Sequence, residues 1–261
     1  MTTTQPKVVL LAGGFGTRLA EETETKPKPM VEIGGHPILW HIMKHYGFHG
    51  FNEFVVALGY KGEAIKKFFV DYQNLHGDLT IDLVRGHMER EDQVHEPWVV
   101  HLVQTGHDVM TGGRIRRLRS QLEQQTFMVT YGDGVSNVNL QELLAYHRAH
   151  KRLATVTAVR PPARFGGIEF DGDFVSRFIE KSQIGEGWIN GGFLVFEPGV
   201  FDYLDGDYNS LESDALERLA ADRQLVAFRH EGFWQCMDTV RDKQFLERLW
   251  SDGHPPWRVW R

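Results

Sequence analysis

The 261-residue chain is 41% hydrophobic and 25% charged, enough to bury a full α/β core, so one catalytic domain spanning 1–261 is expected. Its net charge of −6 argues against a nucleic-acid partner held on a basic face, and no apolar run is long enough to span a membrane. A single cysteine, Cys236, excludes an intramolecular disulfide, and the polar start, 1–6, lacks the regions of a signal peptide; a cytoplasmic location is expected.

Strand and helix signals alternate, which predicts a mostly parallel sheet covered by helices. The apolar run 7–11 reads as a buried parallel strand. Directly after it come Ala12, Gly13, Gly14, Phe15, Gly16, Thr17 and Arg18, where the backbone leaves the carboxyl edge of the sheet, the edge at which open α/β sheets bind ligands. Glycine tolerates positive φ and carries no side-chain shield, so successive N–H groups can surround phosphate oxygens. Arg18, Lys26 and Lys28 add positive charge to the same anion. The loop matches neither standard phosphate motif: a dinucleotide fingerprint read from Gly14 needs glycine where Leu19 stands, and no Gly-Lys-Ser/Thr ending occurs.

Farther along, Ile38, Leu39, Ile42 and Met43 predict a helix over 37–46, followed by a buried strand at 54–58 and a helix at 62–72. Leu79, Ile81 and Leu83 alternate as in a half-exposed strand, with 98–103 pairing nearby. The charged stretch 87–97 reads as a mobile excursion serving as a subunit contact or lid. A second strong strand, 126–131, ends in Gly132-Asp133-Gly134. Then come a helix at 140–150, a strand at 154–159, short strands over 161–180 with glycine turns, and a core strand at 194–196. Helices over 211–221 and 240–250 close the pattern, with Trp257 and Trp260 anchoring a tail on its own core or on another subunit.

Some residues suggest chemistry directly. An aspartate flanked by glycines at a strand end, as Asp133 is, can bring a hard carboxylate beside phosphate and Mg²⁺; a lone Gly-Asp-Gly is otherwise a β-turn. Asn190-Gly191 offers either an amide for sugar hydroxyls or a hairpin turn. His41, His45 and His49 share helical spacing, but Gly47 interrupts that helix and no zinc motif completes the set, so an exposed helix face is expected. Arg116, Arg117 and Arg119 read as a solvated helix face, and Cys236 as a packed small residue.

The run Gly13-Gly14-Phe15-Gly16-Thr17-Arg18-Leu19 with Lys26-Pro27-Lys28-Pro29-Met30 resembles the signature of the sugar-1-phosphate nucleotidylyltransferases. Residues 31–43, Met110-Thr111-Gly112-Gly113-Arg114, Tyr131-Gly132-Asp133-Gly134, Asn190-Gly191-Gly192-Phe193 and Met237-Asp238-Thr239 extend the resemblance toward the branch that uses CTP and glucose 1-phosphate, from about Lys7 onward. It implies a three-layer, Rossmann-like α/β nucleotidyltransferase fold with a largely parallel central sheet and added β-segments, the sugar-binding part and last helices lying in about 160–261. The implied reaction is Mg²⁺-dependent transfer of CMP from CTP to glucose 1-phosphate. By the same resemblance, Leu11, Ala12, Gly13, Gly14, Phe15, Gly16, Thr17, Arg18, Lys28, Thr111, Arg114 and Asp133 bind the nucleotide. Arg18 and Lys28 are the catalytic cations, one on the β- and γ-phosphates and one near the α-phosphate. Tyr131, Gly132, Glu180, Lys181, Asn190 and Gly191 take the sugar phosphate, and Asp133 with Asp238 the metal. Ser182 and Cys236 stand where the family has proline. A homo-oligomer and a place at the start of CDP-linked deoxysugar synthesis are also implied. UTP or dTTP, another sugar phosphate, or a non-catalytic nucleotide-sugar binding protein remain the alternatives.

Overall fold

The computed structural model describes residues 5–14, 19–24, 26–75, 78–90, 96–161, 167–171, 174–179 and 187–260. The chain begins with β1 (Val8–Ala12) and α1 (Ala20–Thr23), then a small ladder of β2 (Glu32–Ile33) and β3 (His36–Pro37) leading into α2 (Ile38–Phe48). Next are β4 (Glu53–Leu58), α3 (Gly62–Leu75), the hairpin β5 (Leu79–Asp82) and β6 (His87–Arg90), and β7 (Val99–Gln104). Helices α4 (Thr111–Arg117) and α5 (Arg119–Leu122) precede β8 (Phe127–Tyr131), β9 (Gly134–Ser136), α6 (Leu140–His150) and β10 (Ala154–Val159). The last third holds β11 (Gly167–Asp171), β12 (Phe174–Ile179), β13 (Ile189–Phe196), α7 (Glu217–Ala221), β14 (Leu225–His230), β15 (Trp234–Cys236) and α8 (Val240–Ser251).

Seven of these strands form one sheet in the order β14-β10-β13-β8-β1-β4-β7. Strand β1 pairs in parallel with both β4 and β8, β4 with β7, and β10 with β14; β13 alone runs antiparallel, to β8 and to β10. Residues of β1 alternate between two cores. Val8, Leu10 and Ala12 face a cluster with Ile38, Leu143 and Leu246, whereas Val9 and Leu11 face one with Ile115, Leu122 and Leu219. Period-two side-chain direction thus makes three layers, with helices on both faces, as the family resemblance implies.

Three local expectations are corrected. Helix α2 runs straight through Gly47, and His41 and His45 are buried, at 0% and 2% exposure, rather than presented to solvent. A helix hydrophobic on nearly every side belongs inside, and here the tail supplies the cover: Trp257, fully buried, donates its indole N–H to Nδ1 of His41. Trp257 and Trp260 therefore dock on their own core. Burial holds the His41 pKa down at about 4 and that of His45 at about 3, so both rings are neutral near pH 7. Strand β5 pairs with β6 rather than with β7, which joins the central sheet beside β4; the first residues of the expected excursion at 87–97 are thus a hairpin strand, and 91–95 lie outside the described residues. Asn190-Gly191 sits inside β13, so the hairpin-turn alternative is excluded.

Candidate active site

A cavity of about 530 Å³ opens beyond the carboxyl ends of β1 and β8. Its wall takes Leu11, Ala12, Gly13 and Gly14 from the end of β1, and Tyr131, Gly132 and Asp133 from the end of β8. Residues 107–111, Arg114, Lys28, Pro29 and Glu212 complete it. Parallel pairing of β1 with β8 places Leu11 beside Tyr131, so two loops 120 residues apart in sequence emerge together. Gly132 then donates its N–H to the Leu11 carbonyl at 3.1 Å.

Lys28 starts a short 3₁₀ turn, Lys28–Met30, whose Pro29 and Met30 are buried. Proline sets φ there and the buried pair fixes the turn, so the lysine projects toward the cavity. Its ammonium donates to Asp133 Oδ2 at 2.6 Å and to Asp238 Oδ1. Burial works to lower the Lys28 pKa, but the two carboxylates more than offset it and leave the ammonium above its ordinary value. Asp238 reaches this cluster because β15 pairs antiparallel with β9, Cys236 opposite Gly134. A capping box then starts α8: Thr239 Oγ1 accepts from the Asp242 N–H, while Asp242 accepts from the N–H groups of Asp238 and Thr239. The Cys236 thiol, 3.8 Å from Asp238, is pushed up to about 12 by burial and the surrounding carboxylates. It stays protonated, as a packed small residue would.

Arg114 lines the cavity, yet its guanidinium faces protein. It donates to the carbonyls of Gly13, Leu58, Gly106 and His107 and to Thr105 Oγ1, at 2.7–3.2 Å, and is only 4% exposed. A Cβ on Gly13 would lie 2.2 Å from the guanidinium carbon, so that glycine makes room for the arginine. The pair Gly112-Gly113 has a similar reason: a Cβ on either would collide with Asn209 or Asp207, whose backbone lies against α4. Arg117 pairs with Asp207 and Arg119 with Glu123 on the outer face, where a solvated role was expected.

Asn190 reaches the site through Tyr131. Its amide donates to the Tyr131 hydroxyl at 3.2 Å and its carbonyl accepts from the Gly192 N–H, with Gly192 at φ +83° under the tyrosine ring. Gly191 instead packs on Val159 and Thr157 of β10. Phe15, Gly16, Thr17, Arg18, Glu180 and Lys181 lie outside the described residues. Sequence reading missed Glu212, which accepts from Tyr131, from Thr111 Oγ1 at 2.7 Å and from Ser210 Oγ at 2.9 Å. Nothing local in 210–214 marks it.

This sheet, with its cavity at the carboxyl edge and paired carboxylates beside a glycine loop, defines a nucleotidyltransferase. The chain belongs to the nucleotidyl transferase family, whose model matches residues 7–252. It is 48% identical over 255 residues to the glucose-1-phosphate cytidylyltransferase of Salmonella typhi, covering 97% of this chain and 99% of that one. A probable glucose-1-phosphate cytidylyltransferase of Bacillus subtilis is 43% identical, with 97% and 100% coverage. Among solved structures, HddC from Yersinia pseudotuberculosis superposes with a TM-score of 0.69 at 23% identity, over 94% of this chain and 100% of that one. Among the described residues no helix is long and apolar enough to cross a membrane.

Proposed function

We propose that the protein transfers CMP from CTP to α-D-glucose 1-phosphate, giving CDP-glucose and pyrophosphate, with Mg²⁺ as its metal. The observation that carries this reading is the Lys28–Asp133–Asp238 cluster at a cavity beside the glycine loop, in a chain 48% identical to a glucose-1-phosphate cytidylyltransferase. Two hard carboxylates gathered around one positive centre suit Mg²⁺, which takes one or two protein carboxylates and fills its remaining positions with water and phosphate oxygen. Asp133 and Asp238 would hold it, and the bound ion would neutralise charge on the phosphates.

A phosphate monoester has a second pKa of about 6, so the sugar phosphate is a dianion at neutral pH and needs no protein base. Its oxygen bonds to the α-phosphorus of CTP while the bond from that phosphorus to the β-phosphate bridging oxygen breaks, and pyrophosphate leaves with the electron pair. The chain must hold two polyanions in line and stabilise the charge that develops. In this reading Lys28 turns its ammonium to the α-phosphate and Arg18 grips the β- and γ-phosphates. Thr111 and the loop from Leu11 border the nucleotide, and Tyr131, Asn190, Glu180 and Lys181 the sugar phosphate.

The chain acts as one catalytic domain, with 160–261 contributing the sugar side; Asn190, Glu212 and Asp238 all converging on the cavity region supports this. A homo-oligomer is supported by the β5–β6 hairpin, which exposes Ile81, Leu83, Val84 and Met88. A cytoplasmic enzyme opening CDP-linked deoxysugar synthesis completes the reading. Pyrophosphate release with glucose 1-phosphate, Mg²⁺ and each of CTP, UTP, dTTP, ATP and GTP tests it. Strong release with CTP alone is expected. Preference for UTP or dTTP overturns the base assignment, and nucleotide binding without release with any of the five would return the non-catalytic alternative.

A further inference from the structure

We infer that Glu212 is a positioning residue that locks the nucleotide side and the sugar side of the cavity to each other. The inference rests on the reading of those two sides given above. Glu212 belongs to the widened helical segment Leu211–Leu216 that leads into α7, distant in sequence from every loop of the glycine signature, yet it lines the cavity. One oxygen, Oε1, accepts a hydrogen bond from the Tyr131 hydroxyl, and that hydroxyl in turn accepts one from the Asn190 amide. The other, Oε2, takes the hydroxyls of Thr111 and Ser210. The Thr111 hydroxyl also accepts the Leu211 N–H at 2.9 Å, so residues 211–212 hold the first residue of α4 through one hydroxyl acting as both donor and acceptor.

A carboxylate that accepts from Thr111 and Tyr131, on two separate segments, and is itself oriented by Ser210 of its own segment fixes the distance between those two, because hydrogen bonds to a charged acceptor are shorter and stronger than neutral ones. In-line transfer is sensitive to that distance: a misplacement of about 1 Å can cost roughly a hundredfold in rate. Glu212 therefore sets how far the sugar phosphate stands from the nucleotide.

Steady-state kinetics on Glu212→Ala, Glu212→Gln and Tyr131→Phe, with melting curves for each, test the inference. Glu212→Ala should lower kcat by up to about a hundredfold, the scale of a misplacement of about 1 Å, and raise the KM of both substrates about tenfold, at an unchanged melting temperature. Tyr131→Phe should raise the sugar-phosphate KM alone, and by less in the Glu212→Ala background, where only the Asn190 bond remains to be lost, than in the wild type. Glu212→Gln, which keeps an acceptor for Tyr131 but sets an NH2 donor against the Thr111 and Ser210 hydroxyls, should recover the sugar-phosphate KM more than the nucleotide KM. Unchanged KM values in folded Glu212→Ala, or a rise for only one substrate, would overturn the inference. Should the wild type prefer another nucleotide or sugar phosphate, the base or sugar assignment fails separately, and the two KM values taken with the preferred pair still decide the role of Glu212.

Discussion

The Met237 N–H donates to the Asp133 carbonyl at 2.8 Å, one residue before Asp238. A main-chain bond thus sets two carboxylates, far apart in sequence, on either side of Lys28. Their spacing is a property of the backbone rather than of side-chain rotamers, which leaves either side chain open to substitution without loss of the fold.

Asp133→Asn and Asp238→Asn should accordingly each keep the wild-type circular dichroism while losing about a hundredfold or more of Mg²⁺-dependent turnover, the scale of removing a preorganised electrostatic contact. Near-normal pyrophosphate release from either folded variant would remove the pair from the metal.

Lys28→Met leaves Asp133 and Asp238 facing each other with no cation between them, and like charges at that range repel. The variant should melt below the wild type without Mg²⁺ and gain more on adding it. Because the Lys28 pKa lies above 10.5 in the fold, its own contribution is complete below that pH and lost only above it. The melting difference between variant and wild type, arising from this group, should therefore be flat from pH 6 to pH 9.

Arg114→Lys keeps a positive charge but cannot serve four carbonyls and a hydroxyl from one planar group. Urea unfolding should show a loss of about 2 kcal/mol from carbonyls left without donors, and the nucleotide KM should rise as the Gly13 edge loosens.

His41 and His45 predict an acid limb. Each binds a proton in the unfolded chain below its ordinary value of about 6.5, but in the fold only near 4 and 3 respectively. Stability from these groups is thus complete above 6.5 and falls with acid, each adding a slope of about 1.4 kcal/mol per pH unit until its folded pKa is reached. His41→Gln should flatten the fall measured by denaturant midpoints between pH 4.5 and pH 7, whatever its effect at neutral pH.

What could be read from sequence was what local chemistry marks. The run before Gly13 is a buried strand because it is apolar without interruption, and Lys28 and Asp133 sit in short motifs with turn-forming neighbours. What escaped depends on partners far along the chain. Glu212 meets Thr111 across 101 residues and carries no local signal. The histidines of α2 looked exposed because the residues that meet them come much later in the chain, Trp257 for His41 and Val138 with Phe193 for His45. Arg114 is tied to the nucleotide by resemblance and does line the cavity, but nothing in the sequence signals that its guanidinium is held by the carbonyls of four separate residues.

The aromatic lid on α2 also puts a timetable on biosynthesis. His41 and Trp257 are separated by 216 residues, so at a translation speed of about 5–20 residues per second the helix waits roughly 10–40 s for its cover. Throughout that interval the α2 surface later sealed by Trp250, Trp257 and Trp260 is a greasy face on a nascent chain, the kind of surface to which chaperones bind.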